Sequence, residues 1–353
     1  MTSEAKGVEL DFSTLITKVS SGEPLTTTEA EAAFDQLMAG RVTPVHAASL
    51  LTGLRVRGET PGEVAGGVRA LRRAMIPVEA ADQEELVDTC GTGGGALTTF
   101  NISTAAAILA AGRGVRIAKH GNRSFSSRSG SADVLEALGI TIELSPDEMA
   151  EVLEEAGIVF MFAPLLHPAM RHLGPVRREL GFPTIMNLLG PLTNPAGATR
   201  QVVGVSDPRL LRLIANALLE LGHERALVVH GEPGIDELSP IGRTEVIELR
   251  DGELDHYHFD PAQFGWEDLD AKGLAGGGPE ENAALIRAVF EGDGPTAARA
   301  AITLNAGAAI YLAGLVDSLE EGVREAERAV DDGAGAESLQ RLRRATERVK
   351  GHN

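Results

Sequence analysis

Apolar positions over the first eighty residues recur at helical spacing, with no alternating stretch among them. Thr26 and Glu29 have the spacing of a capping box, and the helix they open stops at Gly40. Thr43-Pro44 sets a cap before a first-turn proline, and the next predicted helix runs through Leu50, Leu51 and Leu54 to Gly58. Thr60-Pro61 with Glu63 opens a third helix. Its Val64, Val68, Leu71 and Met75 share one face, and Pro77 ends it. The pattern predicts a small helical domain over residues 1–82.

Near Glu84 the periodicity changes. Leu86–Cys90 reads as a short buried strand, followed by a glycine cluster and a helix of small residues over Ser103–Ala111. Strands are predicted at Val115–Ala118, Ile140–Glu143 and Ile158–Phe162. A helix lies between the first two at Ser131–Leu138, and another is capped by Ser145-Pro146-Asp147-Glu148. The proline-rich stretch 164–195 breaks this rhythm, and part of it is expected to pack on the helical domain. Alternation returns with the strand Gln201–Val205, the helix Pro208–Leu221 and the strand Arg225–His230. Thr244–Leu249 and Glu253–Phe259, joined at Asp251-Gly252, read as a hairpin, and the tail from Pro279 reads as helical. Strands alternating with helices of about ten residues predict a larger α/β domain over 83–353, built on a mainly parallel sheet.

Composition narrows the function. A hydrophobic content of 43% in 353 residues supports a sizeable core. The single cysteine, Cys90, excludes an intramolecular disulfide and fits a reducing cytoplasm. The polar, acidic start lacks the pattern of a secretory signal, and no apolar run approaches the ~18 residues of a membrane span. A formal net charge of −19 argues against nucleic acid as a partner. Against that background, Lys119–Arg128 (KHGNRSFSSR) carries three permanent cations and no acid. Such a loop suits a focused anion site; an ordinary solvated turn has the same composition.

Several segments carry candidate chemistry. In Gly91-Thr92-Gly93-Gly94-Gly95, glycine lets backbone N–H groups approach an anion, and the following helix N-terminus adds a favourable dipole. Tight strand-to-helix turns use the same residues. Asn101-Ile102-Ser103-Thr104 offers hydroxyls and free amides at that helix start, or simple capping. The basic loop follows a predicted strand, where open parallel sheets form ligand crevices. Asp236-Glu237 could share Mg²⁺ with substrate oxygens or lie in a solvated turn. Arg177 or Arg178, after His167-Pro168-Ala169-Met170, could grip a carboxylate in bidentate fashion or line a basic helix face.

Taken in order, GTGG, TFNIST, KHGNRS, SGSADVLEALG, HPAM, PVRRELG, NLLGPLTNP and the later Asp-Glu pair resemble the anthranilate phosphoribosyltransferases. The resemblance runs from about Leu25 to Ala313. It implies a small helical domain beside a larger α/β domain of the nucleoside phosphorylase and phosphoribosyltransferase type, usually as a homodimer. It implies transfer of the phosphoribosyl group of 5-phosphoribosyl 1-pyrophosphate to the amine of anthranilate, in tryptophan biosynthesis, with Mg²⁺ accompanying the pyrophosphate.

Carried over by matching motif, Gly91, Gly94, Gly95, Thr99, Asn101, Ile102, Ser103 and Thr104 would form the pyrophosphate site. Lys119, His120, Gly121, Asn122, Arg123, Ser124, Phe125, Ser126, Ser127 and Ser131 would contact the phosphoribosyl portion and pyrophosphate. Gly91, Asn122 and Arg177 would contact anthranilate. Ser103, Asp236 and Glu237 would hold metal, and His120 and His167 would flank the anthranilate access route. The family often has aspartate where this chain has Gly95, which puts the metal arrangement beside the pyrophosphate in question. Two rivals are a pyrimidine nucleoside phosphorylase, whose Lys-x-Ser-x-Gly-type run is missing here, and a nucleic-acid-binding homologue, which the acidic charge disfavours.

Overall fold

The computed structural model describes residues 11–124, 128–266 and 269–351. In chain order the helices α1–α4 are Phe12–Ser20, Thr27–Met38, Pro44–Arg57 and Pro61–Ala74. Then follow β1 Val87–Gly91, α5 Ile102–Ala111, β2 Ile117–Gly121, α6 Ser131–Ala137, α7 Pro146–Ala156 and β3 Ile158–Phe162. The short helices α8 Ala163–Leu166, α9 Gly174–Leu180 and α10 Met186–Leu189 come next, and then β4 Arg200–Gly204, α11 Leu211–Glu220 and β5 Arg225–Gly231. The chain closes with β6 Thr244–Arg250, β7 Glu253–Phe259, α12 Pro279–Phe290, α13 Thr296–Leu312, α14 Leu319–Asp331 and α15 Ala334–Gly351. These elements form two compact units: Met1–Met75 with His167–Thr193, and Ile76–Leu166 with Asn194–Asn353.

In the helical unit, Phe34, Leu37, Leu50, Leu51, Leu54, Val64 and Val68 are fully buried. The returning segment is held to α4 by Arg72, which donates to the Leu192 carbonyl at 2.9 Å. One carboxylate ties the unit's loops together. Glu63 is fully buried and accepts from the Leu25 amide at 2.8 Å and the Thr60 amide at 2.9 Å. It also pairs with Arg57, which donates to the Glu23 carbonyl at 2.8 Å. The starts of α2 and α4 and the end of α3 are thereby fixed to one another.

The α/β unit is built on a seven-stranded sheet of order β3-β2-β1-β4-β5-β6-β7. The five strands from β3 to β5 are parallel, and β6 and β7 add an antiparallel edge hairpin. The order reverses between β1 and β4, where the chain winds outward in both directions. Ligand crevices of open α/β sheets lie outside the carboxyl ends of the strands at such a point. Helices α5 and α13 pack on each other and on the central strands. Helix α13 is buried almost throughout, and its Gly307 meets Gly322 of α14 so closely that a Cβ on Gly307 would lie 2.5 Å from the Val323 nitrogen.

Two sequence expectations need correction. Ile140–Glu143 is not a strand. Ile140, Ile142 and Leu144 are buried with Thr141 and Glu143 less so, so the alternation is real, but the segment has no ladder partner among the described residues. Strand β2 begins at Ile117 rather than Val115 and runs on through Lys119, His120 and Gly121. Its polar end is buried, which an apolar pattern cannot register.

Removing the Glu63 carboxylate would leave Arg57 unpaired and two amides unsatisfied. Glu63→Ala is expected to destabilise the helical unit by about 3–5 kcal/mol. Urea unfolding followed by circular dichroism should then show an early transition; a curve matching the parent protein would remove Glu63 from this role.

Candidate active site

The parallel strands deliver their C-terminal residues to one edge of the sheet. Gly91 of β1 stands in register with Gly204 of β4. The segment after β5 crosses directly over both. A Cβ on Gly204 would lie 1.7 Å from the Asp236 carbonyl oxygen, and one on Gly91 would lie 2.4 Å from the Asp236 Oδ2. No side chain fits at either position without moving that segment.

The glycine loop meets the same crossing. Gly93 and Gly94 have φ of 70° and 82°, a conformation that favours glycine. Gly95 has an ordinary φ but no room: a Cβ there would lie 2.8 Å from the Gly234 carbonyl. The Ala96 amide donates to that same carbonyl at 2.8 Å. Glycine at position 95 therefore goes with a closely packed 234–235 segment. Farther along, Thr99 bridges Ala275.

Asp236 and Glu237 both turn their carboxylates inward. The Gly93 amide donates to Asp236 Oδ2 at 2.8 Å, and the Ser103 amide, in the first turn of α5, donates to Glu237 Oε1 at 3.2 Å. Burial raises the pKa of Asp236. Burial, and then the charge of Asp236, push Glu237 up to about 8. Two adjacent carboxylates turned inward at a half-buried place favour a shared proton or cation, and the Ser103 hydroxyl adds a third oxygen on the same helix start. That donor set fits a hard divalent cation shared with substrate oxygens. Among the described residues no cluster of three or more His, Cys, Asp or Glu side chains forms a closed metal site.

Beneath this edge lies a buried polar network. Lys119 is 3% exposed; its ammonium donates to the Thr89 carbonyl and, at 3.3 Å, to the Ser103 hydroxyl. Burial pulls its pKa down, against the charges of Asp88, Cys90 and Glu237. Asp88 is fully buried and accepts from Asn194 at 2.8 Å, Gln201 at 3.3 Å and the His120 amide at 3.3 Å. Burial drives its pKa up while Lys119 opposes the shift. Asn194 also donates to the Ala118 carbonyl at 2.8 Å, fastening β2 beside β1.

The basic loop differs from the sequence reading. Arg123 pairs with Asp133 and Glu136 of α6, and its guanidinium lies over the Phe162 ring. Arg128 lies 3.6 Å from Glu281 of α12, and the buried Lys119 ammonium is spent on the Thr89 carbonyl and the Ser103 hydroxyl. Both arginines thus have acid beside them, from α6 just beyond the loop and from α12 far along the chain, and Lys119 is engaged by neutral oxygens. A count along Lys119–Arg128 could not include them. Phe125, Ser126 and Ser127 fall outside the described residues.

Other candidates sort by what they can present. Ile102 and Thr104 are buried in α5, so ligand contact there falls to the backbone. Asn101 accepts from Ser129 at 3.2 Å and from Asn282 at 2.9 Å, linking the α5 start to the basic loop and α12. The Asn122 carbonyl accepts from the Ser131 hydroxyl at 3.1 Å, which seats Gly121 against α6. The Ser124 amide donates to Asp133 at 3.2 Å, and His120 is nearly buried.

In the helical unit, Arg177 on α9 is partly buried and its guanidinium has no hydrogen-bond or ion-pair partner among the described residues; burial lowers its pKa. Burial pushes His167 down to about 4, so its ring is neutral at pH 7. Sequence reasoning missed Asp88, Asn194, Gln201, Asn282 and Asn305. A lone acid inside an otherwise apolar strand was the available signal for Asp88, because a buried charge needs partners.

A helical bundle and a doubly wound α/β unit with a glycine-lined crossing define a class. Residues 13–75 match the model of the helical bundle domain of the glycosyl transferase family, and residues 83–336 match that family's a/b domain. An anthranilate phosphoribosyltransferase of Rubrobacter xylanophilus is 53% identical over 334 residues, covering 95% of this chain and 97% of that protein. The crystal structure of the Thermus thermophilus anthranilate phosphoribosyltransferase superposes with a TM-score of 0.88 at 46% identity, covering 94% of this chain and 99% of that one. The Saccharomyces cerevisiae enzyme in complex with PRPP and Mg superposes with a TM-score of 0.84 at 27% identity, covering 95% and 98%. The chain belongs to the anthranilate phosphoribosyltransferase family.

Gly204→Ala tests the crossing. Its Cβ would strike the Asp236 backbone, and overpacking of this kind costs about 1–3 kcal/mol. Thermal unfolding should move to lower temperature, and hydrogen exchange around residues 234–238 should quicken. An unchanged exchange pattern would contradict the close approach.

Proposed function

We propose that the protein transfers the phosphoribosyl group of 5-phosphoribosyl 1-pyrophosphate to the amine of anthranilate, a step of tryptophan biosynthesis. The products are N-(5-phosphoribosyl)anthranilate and pyrophosphate. The observation that carries this reading is the meeting of the glycine loop, the α5 start, Lys119 and Asp236-Glu237 at one switch point, in a chain that matches this family along nearly its whole length.

Gly91, Gly94, Gly95, Thr99 and Asn101–Thr104 cradle the pyrophosphate through backbone amides and the Ser103 hydroxyl. Lys119–Ser127 and Ser131 contact the phosphoribosyl portion and the pyrophosphate. Gly91 and Asn122 contact anthranilate, and the Arg177 guanidinium binds its carboxylate; that this guanidinium has no hydrogen-bond or ion-pair partner among the described residues supports the assignment. His120 and His167 flank the access route. Asp236 and Glu237 with Ser103 would hold Mg²⁺, which when bound would neutralise charge on the leaving pyrophosphate.

The amine lone pair forms a bond to C1 as the C1–O bond to pyrophosphate breaks, and the amine then loses a proton. Positive charge grows on the ribose and negative charge on the leaving group. Pre-aimed amides and the Lys119 ammonium stabilise the latter without reorganising. Fixed reactants convert an encounter into a first-order step. No serine or cysteine nucleophile is required, and burial holds the Cys90 thiol far from its ionised form.

We further propose a cytoplasmic homodimer. The exposed valines 45 and 56 of α3, 72% and 82% accessible, are apolar surface that a second copy would cover. Sedimentation would report the mass.

Anthranilate fluorescence should fall only when both 5-phosphoribosyl 1-pyrophosphate and Mg²⁺ are present. Phosphorolysis of thymidine or uridine without anthranilate turnover would refute the assignment. Arg177→Ala should raise the KM for anthranilate about ten- to a hundredfold, the worth of a charge-assisted pair, and leave sugar binding near its parent value. Equal losses for both substrates would take Arg177 out of the anthranilate site.

A further inference from the structure

Asn305 lies in the middle of α13, 3% exposed and surrounded by buried apolar neighbours. Its side-chain oxygen accepts from the Leu238 amide at 3.0 Å. Its side-chain nitrogen donates to the Leu238 carbonyl at 3.0 Å and to the Ala301 carbonyl at 2.9 Å. The arrangement is self-consistent. A flipped amide would set N–H against N–H and oxygen against two carbonyls, so the three bonds fix its orientation. Asn305 thus pairs with Leu238 as a neighbouring strand would.

Leu238 directly follows Glu237, and its side chain is fully buried against Leu304, Ala308 and the β4–β6 strands. Upstream, Gly231 and Ile235 bond to each other, and Ser239 donates to the Glu232 carbonyl at 2.5 Å. The crossing segment is therefore pinned at both ends, with Asp236 and Glu237 between the pins. Asn305 meets both backbone groups of Leu238, the residue next to Glu237, and the Ser239 amide beyond it donates to the Thr244 hydroxyl at 2.9 Å.

We propose that Asn305 is the positioning residue of the Asp236-Glu237 pair: its amide fixes the backbone at Leu238 and so sets where the two carboxylates meet the pyrophosphate and its divalent cation. The inference rests on the proposed phosphoribosyl transfer for the identity of that ligand. It gives a buried polar residue on a structural helix, distant in sequence from the site, a defined effect on one substrate and not the other.

Asn305→Ala removes both bonds and leaves the Leu238 amide and carbonyl buried without partners. Titration calorimetry of 5-phosphoribosyl 1-pyrophosphate with Mg²⁺ into the full-length variant should show affinity reduced about tenfold or more, the effect of one or two lost hydrogen bonds. The Mg²⁺ concentration for half-maximal turnover should rise with it, while the KM for anthranilate stays within about twofold. Asn305→Asp keeps the acceptor for the Leu238 amide but sets a carboxylate oxygen against the Leu238 and Ala301 carbonyls, and should weaken sugar and Mg²⁺ binding at least as far as the alanine variant does. Unchanged Mg²⁺ and sugar affinities in either folded variant would overturn the proposal, as would an equal fall in every parameter, which marks general destabilisation.

Should both variants fail to fold, hydrogen exchange on the unmodified protein decides. The Leu238 amide should be among its slow exchangers, and rapid exchange there would overturn the proposal. Failure of the functional reading is separate, since it would appear as absent transferase activity in the parent.

Discussion

The tightest approach to any glycine among the described residues is the passage of one backbone segment over the ends of two strands. The Asp236 carbonyl lies where the Cβ of any residue at 204 would be, and the Asp236 side chain lies where the Cβ of any residue at 91 would be. This places the acidic pair at the point where strand order reverses, against the glycine loop and the start of α5. The approach is possible because two strand ends carry no side chain and because the segment is held from its far side by α13. The geometry of the site therefore depends as much on missing atoms as on functional groups.

Below the crossing, the sheet carries charge in its interior. Asp88 and Lys119 occupy adjacent strands and are nearly inaccessible. Such charges are tolerated only when hydrogen bonds meet them from several directions. Asn194, Gln201 and the His120 amide do so for Asp88, and Thr89 and Ser103 do so for Lys119. One chain of polar contacts runs from the core to the hydroxyl at the α5 start, so the rigidity of the site and the cost of the buried charges have one origin.

Much of this was legible in the sequence. Caps at Thr26, Thr43, Thr60 and Ser145 gave their helices because capping is local chemistry, and each cap forms in the structure. The strand-helix alternation and the hairpin at Asp251-Gly252 followed from periodicity and turn residues. What escaped detection depends on distant partners. Ile140–Glu143 alternates like a strand but finds no ladder. The arginines of Lys119–Arg128 look unopposed until α6 and α12 are brought beside them. Asn305 reads as one polar residue in an alanine-rich helix, and its use appears only when Leu238 arrives from another part of the chain. Motif order recovered the family; burial and pairing had to come from three dimensions.

The pairing of the basic loop bears on how a ligand arrives. Arg123 and Arg128 are already neutralised by acids, and the chain as a whole is strongly negative. A polyanionic sugar approaching from solution therefore meets little long-range attraction and a repulsive far field. Capture must rely on short-range contacts made after arrival, and the encounter should quicken as added salt screens that repulsion. The molecule is built to retain a polyanion rather than to draw one in.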